Sequence, residues 1–137
     1  MTHSDIRTQL LQNGFCAYTT VGASMYPMLR EGHDVVMIRK KTAPPRLNDV
    51  VLYDHGGTLT LHRVRKVTPD GYLIRGDNSY VDHKNVPEEA ILGVLEFYVR
   101  NGVRTECATD KKYLRYVRRR NASYPFRLTV RKLLGKV

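Results

Sequence analysis

From Phe15 to about Asn101 the chain is cut into short runs of Val, Ile, Leu, Tyr and Thr by closely spaced turn signals. No other feature restricts the fold as much. The signals are Arg30-Glu31-Gly32-His33-Asp34, Pro44-Pro45, His55-Gly56-Gly57 and Pro69-Asp70-Gly71. Such residues interrupt regular ladders or preset a turn. Short runs at this spacing imply a compact, mainly β domain. Strands are expected near 15–20, 34–40, 49–54, 58–67, 71–76 and 91–100. The clearest hairpin is Val67-Thr68-Pro69-Asp70-Gly71-Tyr72-Leu73-Ile74, where Asp-Gly supplies a backbone able to turn tightly.

Helical signals lie at the two ends. Ser4 is the expected N-cap of a short helix over 4–13, with Ile6 and Leu10 on one face and Asn13-Gly14 ending it. In the tail, Ser123 followed by Pro125 reads as a helix start. Phe126, Val130, Leu133, Leu134 and Val137 then form one stripe, with Arg127, Arg131, Lys132 and Lys136 on other faces. Lys111–Arg120 reads as a second basic helix just before it. At 137 residues this is one domain's worth of chain, with no internal repeat. The expected division is a core over 1–100 and a basic, helical extension over 101–137.

Several classes are disfavoured. The longest clean apolar run, Val35–Ile38, is far short of the ~20 residues a spanning helix needs. The N-terminus lacks the basic start and apolar stretch of a secretory signal. Cys16 and Cys107 are far apart in the sequence and form no Cys-x-x-Cys pattern, so they read as reduced thiols, pointing to the cytoplasm. The net charge of +10 is carried by the tail alone: acids and bases cancel up to residue 96, and beyond it twelve Lys or Arg face only Glu106 and Asp110. Three dispositions stay open for the tail. The stripe packs on the β core with its charges solvated, or the helix lies on an anionic membrane surface, or its bases neutralise nucleic-acid phosphates. The last is disfavoured because no nucleic-acid motif accompanies the charge.

The chemistry-bearing stretch is Gly22-Ala23-Ser24-Met25-Tyr26-Pro27-Met28, a serine on a Gly- and Pro-bounded turn. Its hydroxyl needs a base to become a nucleophile. Of the five histidines, His3 lies at the terminus, His33 and His55 in turns, and His83 in a loop. Only His62 lies in a strand-like run that would hold the ring rigidly. Neither cysteine sits at metal-ligand spacing from another donor, so no metal is expected.

Five boxes then occur in order over about residues 22–98. Ser24-Met25-Tyr26-Pro27-Met28 resembles the serine box of type I signal peptidases and their LexA-repressor-like relatives. Leu47–Tyr53 resembles their Gly-Asp-[Ile/Val]-Val strand, and Leu61-His62-Arg63-Val64 the His-Arg box of the archaeal, endoplasmic-reticulum and sporulation-type enzymes. Ile74–Ser79, with Val81-Asp82-His83 after it, resembles the Gly-Asp-Asn box, and Ile91–Tyr98 the closing strand.

The resemblance implies a serine endopeptidase that uses no cofactor, with Ser24 as nucleophile and His62 as general base where other relatives use lysine. Asp77 or Asp82 would orient His62, as the acid does in triads generally. Either aspartate is also an ordinary turn residue. The Ser24 backbone N–H would supply the oxyanion hole, since Gly22 stands where some relatives carry a hydroxyl. Met25, Pro27 and Met28 would form the substrate side of the serine turn, and the partner would be an extended peptide or preprotein added as a β-strand. Two departures stand out: no membrane anchor precedes the serine box, and the basic tail has no counterpart in the family's pattern. The rival reading is a catalytically silent relative that binds peptides or regulates a partner. A LexA-like self-cleaving regulator ranks below it, because the base is not lysine.

Overall fold

The computed structural model describes residues 2–135 and, of His3, the backbone alone. Helix α1 (His3–Asn13) starts one step earlier than expected. Its cap is Thr2 and not Ser4, because Asp5 stands three residues after Thr2 and the two exchange hydrogen bonds in a capping box. Gly14 closes the helix at φ 79° with its N–H donated to Leu10 O. Ile6 and Leu10 are buried against the first core cluster described below.

Eight strands follow: β1 (Phe15–Thr19), β2 (Val35–Lys40), β3 (Val50–His55), β4 (Thr58–Thr68), β5 (Gly71–Arg75), β6 (His83–Val86), β7 (Ile91–Arg100) and β8 (Val103–Glu106). They form one curled antiparallel sheet in the order β1-β2-β7-β3-β4-β5-β6, with β8 paired to β7. All six expected strands are present. Strands β6 and β8 were not legible, because His-Lys-Asn-Val and Val-Arg-Thr-Glu are too polar to read as strands. Asn48, which stands where the resembled strand box has glycine, takes φ 75°, a conformation Asn tolerates better than most residues. Register shifts at Met37/Ile38, Leu52/Tyr53 and Val64/Lys66 interrupt the ladders, as bulges do where a sheet bends.

The curl makes two apolar clusters. One gathers Ile6, Leu10, Met25, Met28, Leu29, Val36, Ile38 and Leu52 with Tyr113 and Val117. The other packs Val51, Tyr53, Val64, Tyr72, Ile74, Val86 and Ile91. β1 ends the sheet on one side, paired with β2, and β5 covers only the Arg63–Thr68 part of β4. The 58–62 end of β4 is therefore paired on one side alone.

The tail is one helix, α2 (Lys111–Leu133), and not the two expected. Asp110 caps it by accepting from Tyr113 N at 2.7 Å. Pro125 sits inside the helix, and Ser123 donates back to Arg120 O instead of capping a new start. The first half of α2 buries Tyr113 and Val117. The stripe in the second half does not pack on the β core: Phe126 is 72% exposed and Leu133 82%. Val137 and Lys136 lie outside the described residues. The boundary drawn at residue 100 coincides with the turn between paired strands β7 and β8, and α2 shares the first core cluster.

Candidate active site

Ser24 lies on the loop between β1 and β2, and several long-range bonds fix that loop. Asn78 donates its backbone N–H to Ser24 O at 2.8 Å and its side-chain amide to Ala23 O at 3.1 Å. Gly32 N–H donates to Thr20 O at 2.9 Å. At the far end Arg100 binds the fully buried Asp34 through Nε and Nη2 and reaches Met28 O at 2.6 Å. The Gly76-Asp77-Asn78 turn thus holds the serine loop through the backbone N–H and the side-chain amide of Asn78, neither of which carries a charge.

His62, near the middle of β4, places Nε2 2.9 Å from Ser24 Oγ. Gly76 makes this approach possible. A Cβ there would come within 2.5 Å of Ser24 O and 3.1 Å of the His62 ring. His62 Nδ1 lies 3.3 Å from Tyr53 Oη, and Tyr53 Oη lies 2.6 Å from His83 Nδ1. His83 in turn stacks on His55, with ring centroids 3.6 Å apart and planes 4° off parallel. Burial pushes the His62 pKa down to about 4, His83 and His55 push the same way, and Asp77 opposes them. The ring is therefore neutral at pH 7, as a general base must be.

Among the described residues, neither Asp77 nor Asp82 hydrogen-bonds His62. Asp77 forms a two-point ion pair with the buried Arg63, Nε to Oδ1 and Nη2 to Oδ2 at 2.8 Å each, and accepts from Tyr116 Oη at 2.8 Å. Burial alone would raise its pKa, but the Arg63 bonds and charge and the Tyr116 hydroxyl hold it below the usual carboxylate range. It acts on His62 through its field only. Asp82 is bound by Arg75 at 2.8 Å. All five N–H donors of Arg63 are engaged: its other partners are Asn48 O, Tyr113 Oη and Met28 Sδ.

A cleft of ≈ 590 Å³ opens beside Ser24. Thr19–Gly22 forms one wall and Leu59–Leu61 another, and Ile6, Met25, Leu29 and Leu52 line its apolar part. Of the serine-turn residues expected to face substrate, Met25 lines the cleft, while Pro27 and Met28 lie outside its lining. Met25 Sδ also accepts from Asp77 N at 3.4 Å, so it ties the cleft floor to the Gly-Asp-Asn turn. Among the described residues, no group of three His, Cys, Asp or Glu side chains is disposed to hold a metal. No helix among them is long and apolar enough to cross a membrane.

Tyr53, Arg63, Tyr113 and Tyr116 carry no sign of their roles in the sequence, and His55 and His83 fall there in a turn and a loop. The pairing of Val51 with His62 makes Tyr53 the diagonal neighbour of His62 on the same face. That signal exists only once the strand register is known.

A family model described as Peptidase S24-like matches residues 2–95, which takes in α1, the serine loop, β1 to β6 and the first half of β7. Strand β8 and helix α2 lie beyond the matched span. No curated protein matches the chain.

Proposed function

The chain belongs to the Peptidase S24-like family, and from that premise we propose that it is a serine endopeptidase in which Ser24 is the nucleophile and His62 the general base. The observation that carries this is the 2.9 Å approach of His62 Nε2 to Ser24 Oγ, made by a ring that is neutral at pH 7. The imidazole takes the hydroxyl proton as Oγ attacks the scissile carbonyl, then gives it to the leaving amine. Water repeats the sequence on the acyl-enzyme. The Ser24 backbone N–H makes no hydrogen bond among the described residues, so it is free to meet the oxyanion.

The substrate is an extended peptide. Among the described residues, the Tyr18–Thr19 end of β1 and the 58–62 end of β4 both flank the cleft with a side that no other strand covers. A strand entering between them would gain ladder bonds on two sides. The apolar lining from Ile6, Leu29 and Leu52 favours an uncharged side chain next to the scissile bond.

The test compares the wild type with Ser24→Ala on a library of extended peptides, with products read by mass spectrometry. Cleavage by the wild type alone, together with a Ser24-linked acyl adduct, supports the reading. Identical product spectra from both proteins would leave a peptide-binding module in its place.

A further inference from the structure

We infer that Tyr53 and His83 set the tautomer of His62, and that protonation of His83 reverses this relay and disarms the base. The inference rests on the peptidase reading for its consequence, but its geometry stands apart from it.

The direction of the relay follows from where its protons sit. To accept from Ser24, His62 Nε2 must carry a lone pair, so Nδ1 must carry the hydrogen. Tyr53 Oη, 3.3 Å away, then accepts from Nδ1–H and must send its own hydrogen elsewhere. His83 Nδ1 stands 2.6 Å from the phenol and takes it, provided that nitrogen is unprotonated. Each hydrogen has one acceptor and the chain runs one way: His62 Nδ1–H to Tyr53 Oη–H to His83 Nδ1. Asp77 and Asp82 cannot do this work, because Arg63 and Arg75 hold them.

Protonated His83 carries hydrogen on both nitrogens, and the short bond to Tyr53 must then run from His83 to the phenol. Tyr53 Oη–H is left with one acceptor, His62 Nδ1, since Tyr53 is fully buried and makes no other hydrogen bond among the described residues. His62 is driven to the Nε2–H tautomer, which points a hydrogen at Ser24 Oγ. The alternative, a phenol that accepts twice and leaves its own hydrogen unpaired in the core, is disfavoured about tenfold or more. The groups facing His83 are His55 and Tyr53 from β3, His62 from β4, and Asp82 in the preceding loop with its partner Arg75 from β5. Burial lowers the His83 pKa, the stacked His55 adds to this, and Asp82 opposes it. Reversal of the relay therefore follows the titration of His83, and loss of the base that of His62 itself.

The test is nitrogen NMR on ¹⁵N-histidine-labelled resting protein across the acid range, with Tyr53→Phe alongside. The expected result is Nδ1–H on His62 while His83 is neutral and Nε2–H once His83 is protonated, with no coupled change in Tyr53→Phe. One unchanged tautomer through the His83 titration overturns the inference, whether or not any peptide is cleaved. Kinetics supply the second readout. Tyr53→Phe and His83→Leu should lower kcat about 10- to 100-fold with KM little altered. His83→Asn, whose carbonyl can replace the Nδ1 acceptor but does not titrate, should recover most of the loss and remove one acidic inflection from the kcat/KM profile. Persistence of that inflection in His83→Asn overturns the gate. Silence of the wild type on every peptide, with the tautomer switch present, overturns only the peptidase reading.

A separate observation concerns α2. The geometry points to its outer face as a docking site for an anionic lipid surface. The helix carries nine Lys or Arg and no acid. On the side away from the core Lys112, Arg115 and Arg119 are exposed, and the same helical line continues into Phe126, Val130 and Leu133, also exposed. Bases that meet headgroups beside large apolar side chains that enter the interface are the pattern of a surface-lying helix. Sedimentation with vesicles tests it, using neutral phosphatidylcholine with and without phosphatidylglycerol. Salt-sensitive binding to the anionic vesicles, lost in Phe126→Ser/Leu133→Ser and in Arg115→Gln/Arg119→Gln, is expected. Equal binding to neutral vesicles, or full retention in the serine variant as for any polyanion, overturns it.

Discussion

Replacing Asp77 by Asn removes one charge of the buried pair and leaves the other in place. Arg63 is 1% exposed and uses all five of its N–H donors, two of them on the Asp77 carboxylate. After the change the guanidinium remains charged, because no environment of this kind deprotonates arginine. It keeps a neutral amide where it had a two-point anion. Loss of one partner from such a pair costs ~3–5 kcal/mol, whereas replacing both with apolar groups of similar size is often close to neutral. Asp77→Asn should therefore lose ~3–5 kcal/mol, and Arg63→Met a similar amount by stranding the carboxylate. The double variant Arg63→Met/Asp77→Leu should be more stable than either single one. Urea unfolding at pH 7 measures all four proteins, and with an m-value of ~2 kcal/mol/M each single variant should lose roughly 1.5–2.5 M of midpoint. A non-additive term below ~1 kcal/mol in the cycle would refute the reasoning. Peptide cleavage by the double variant adds a second reading. If Asp77 only supports the turn, activity returns with stability; if its field on His62 matters, kcat stays low when the fold is restored.

Three further outcomes are expected. Gly76→Ala should reduce labelling of Ser24 by an acylating probe by at least ~10²-fold at a stability cost of only ~1–3 kcal/mol, because the new methyl meets Ser24 O and the His62 ring; unchanged labelling would contradict the close approach. The lowered His62 pKa makes the unfolded chain bind the proton first, so stability should fall by ~2–3 kcal/mol as pH drops from about 6.5 towards about 4, with no further loss from this group below that. Urea unfolding of the wild type and His62→Gln at pH 7 and 4.5 isolates the effect, and equal pH dependence in the two proteins would count against it. Arg100→Leu strands the fully buried Asp34 and frees Met28 O, so thermal unfolding should show a loss of ~2–4 kcal/mol and cleavage should fall with it.

The strands were legible wherever their signal is local. Val35–Lys40 and Ile91–Arg100 announce themselves by apolar, β-branched runs, and the Asp70-Gly71 turn by its own chemistry. What failed was non-local. Strand β6 exists because Ile74 pairs with His83 and Tyr72 with Val86, not because its own residues favour a strand. Ser123 followed by Pro125 has the pattern of a helix start, where the missing N–H costs nothing, yet the helix passes through it. The arrangement of Ser24 and His62 was anticipated from short boxes in order. The partner of His62 was not: carboxylates in the right box were already bound to Arg63 and Arg75, and a tyrosine chosen by strand register stood at Nδ1.

The support beneath Asp77 comes late in the chain. Tyr113, Tyr116 and Arg120 of α2 reach Arg63, the Asp77 carboxylate and the Asp77 carbonyl, respectively. During synthesis these residues leave the ribosome after Ser24, His62 and the whole sheet. A nascent chain that already displays the serine loop thus lacks three of the contacts that hold the turn behind it. On the peptidase reading, full cutting power is deferred until this helix has folded back, so the growing polypeptide is spared by the order of its own manufacture.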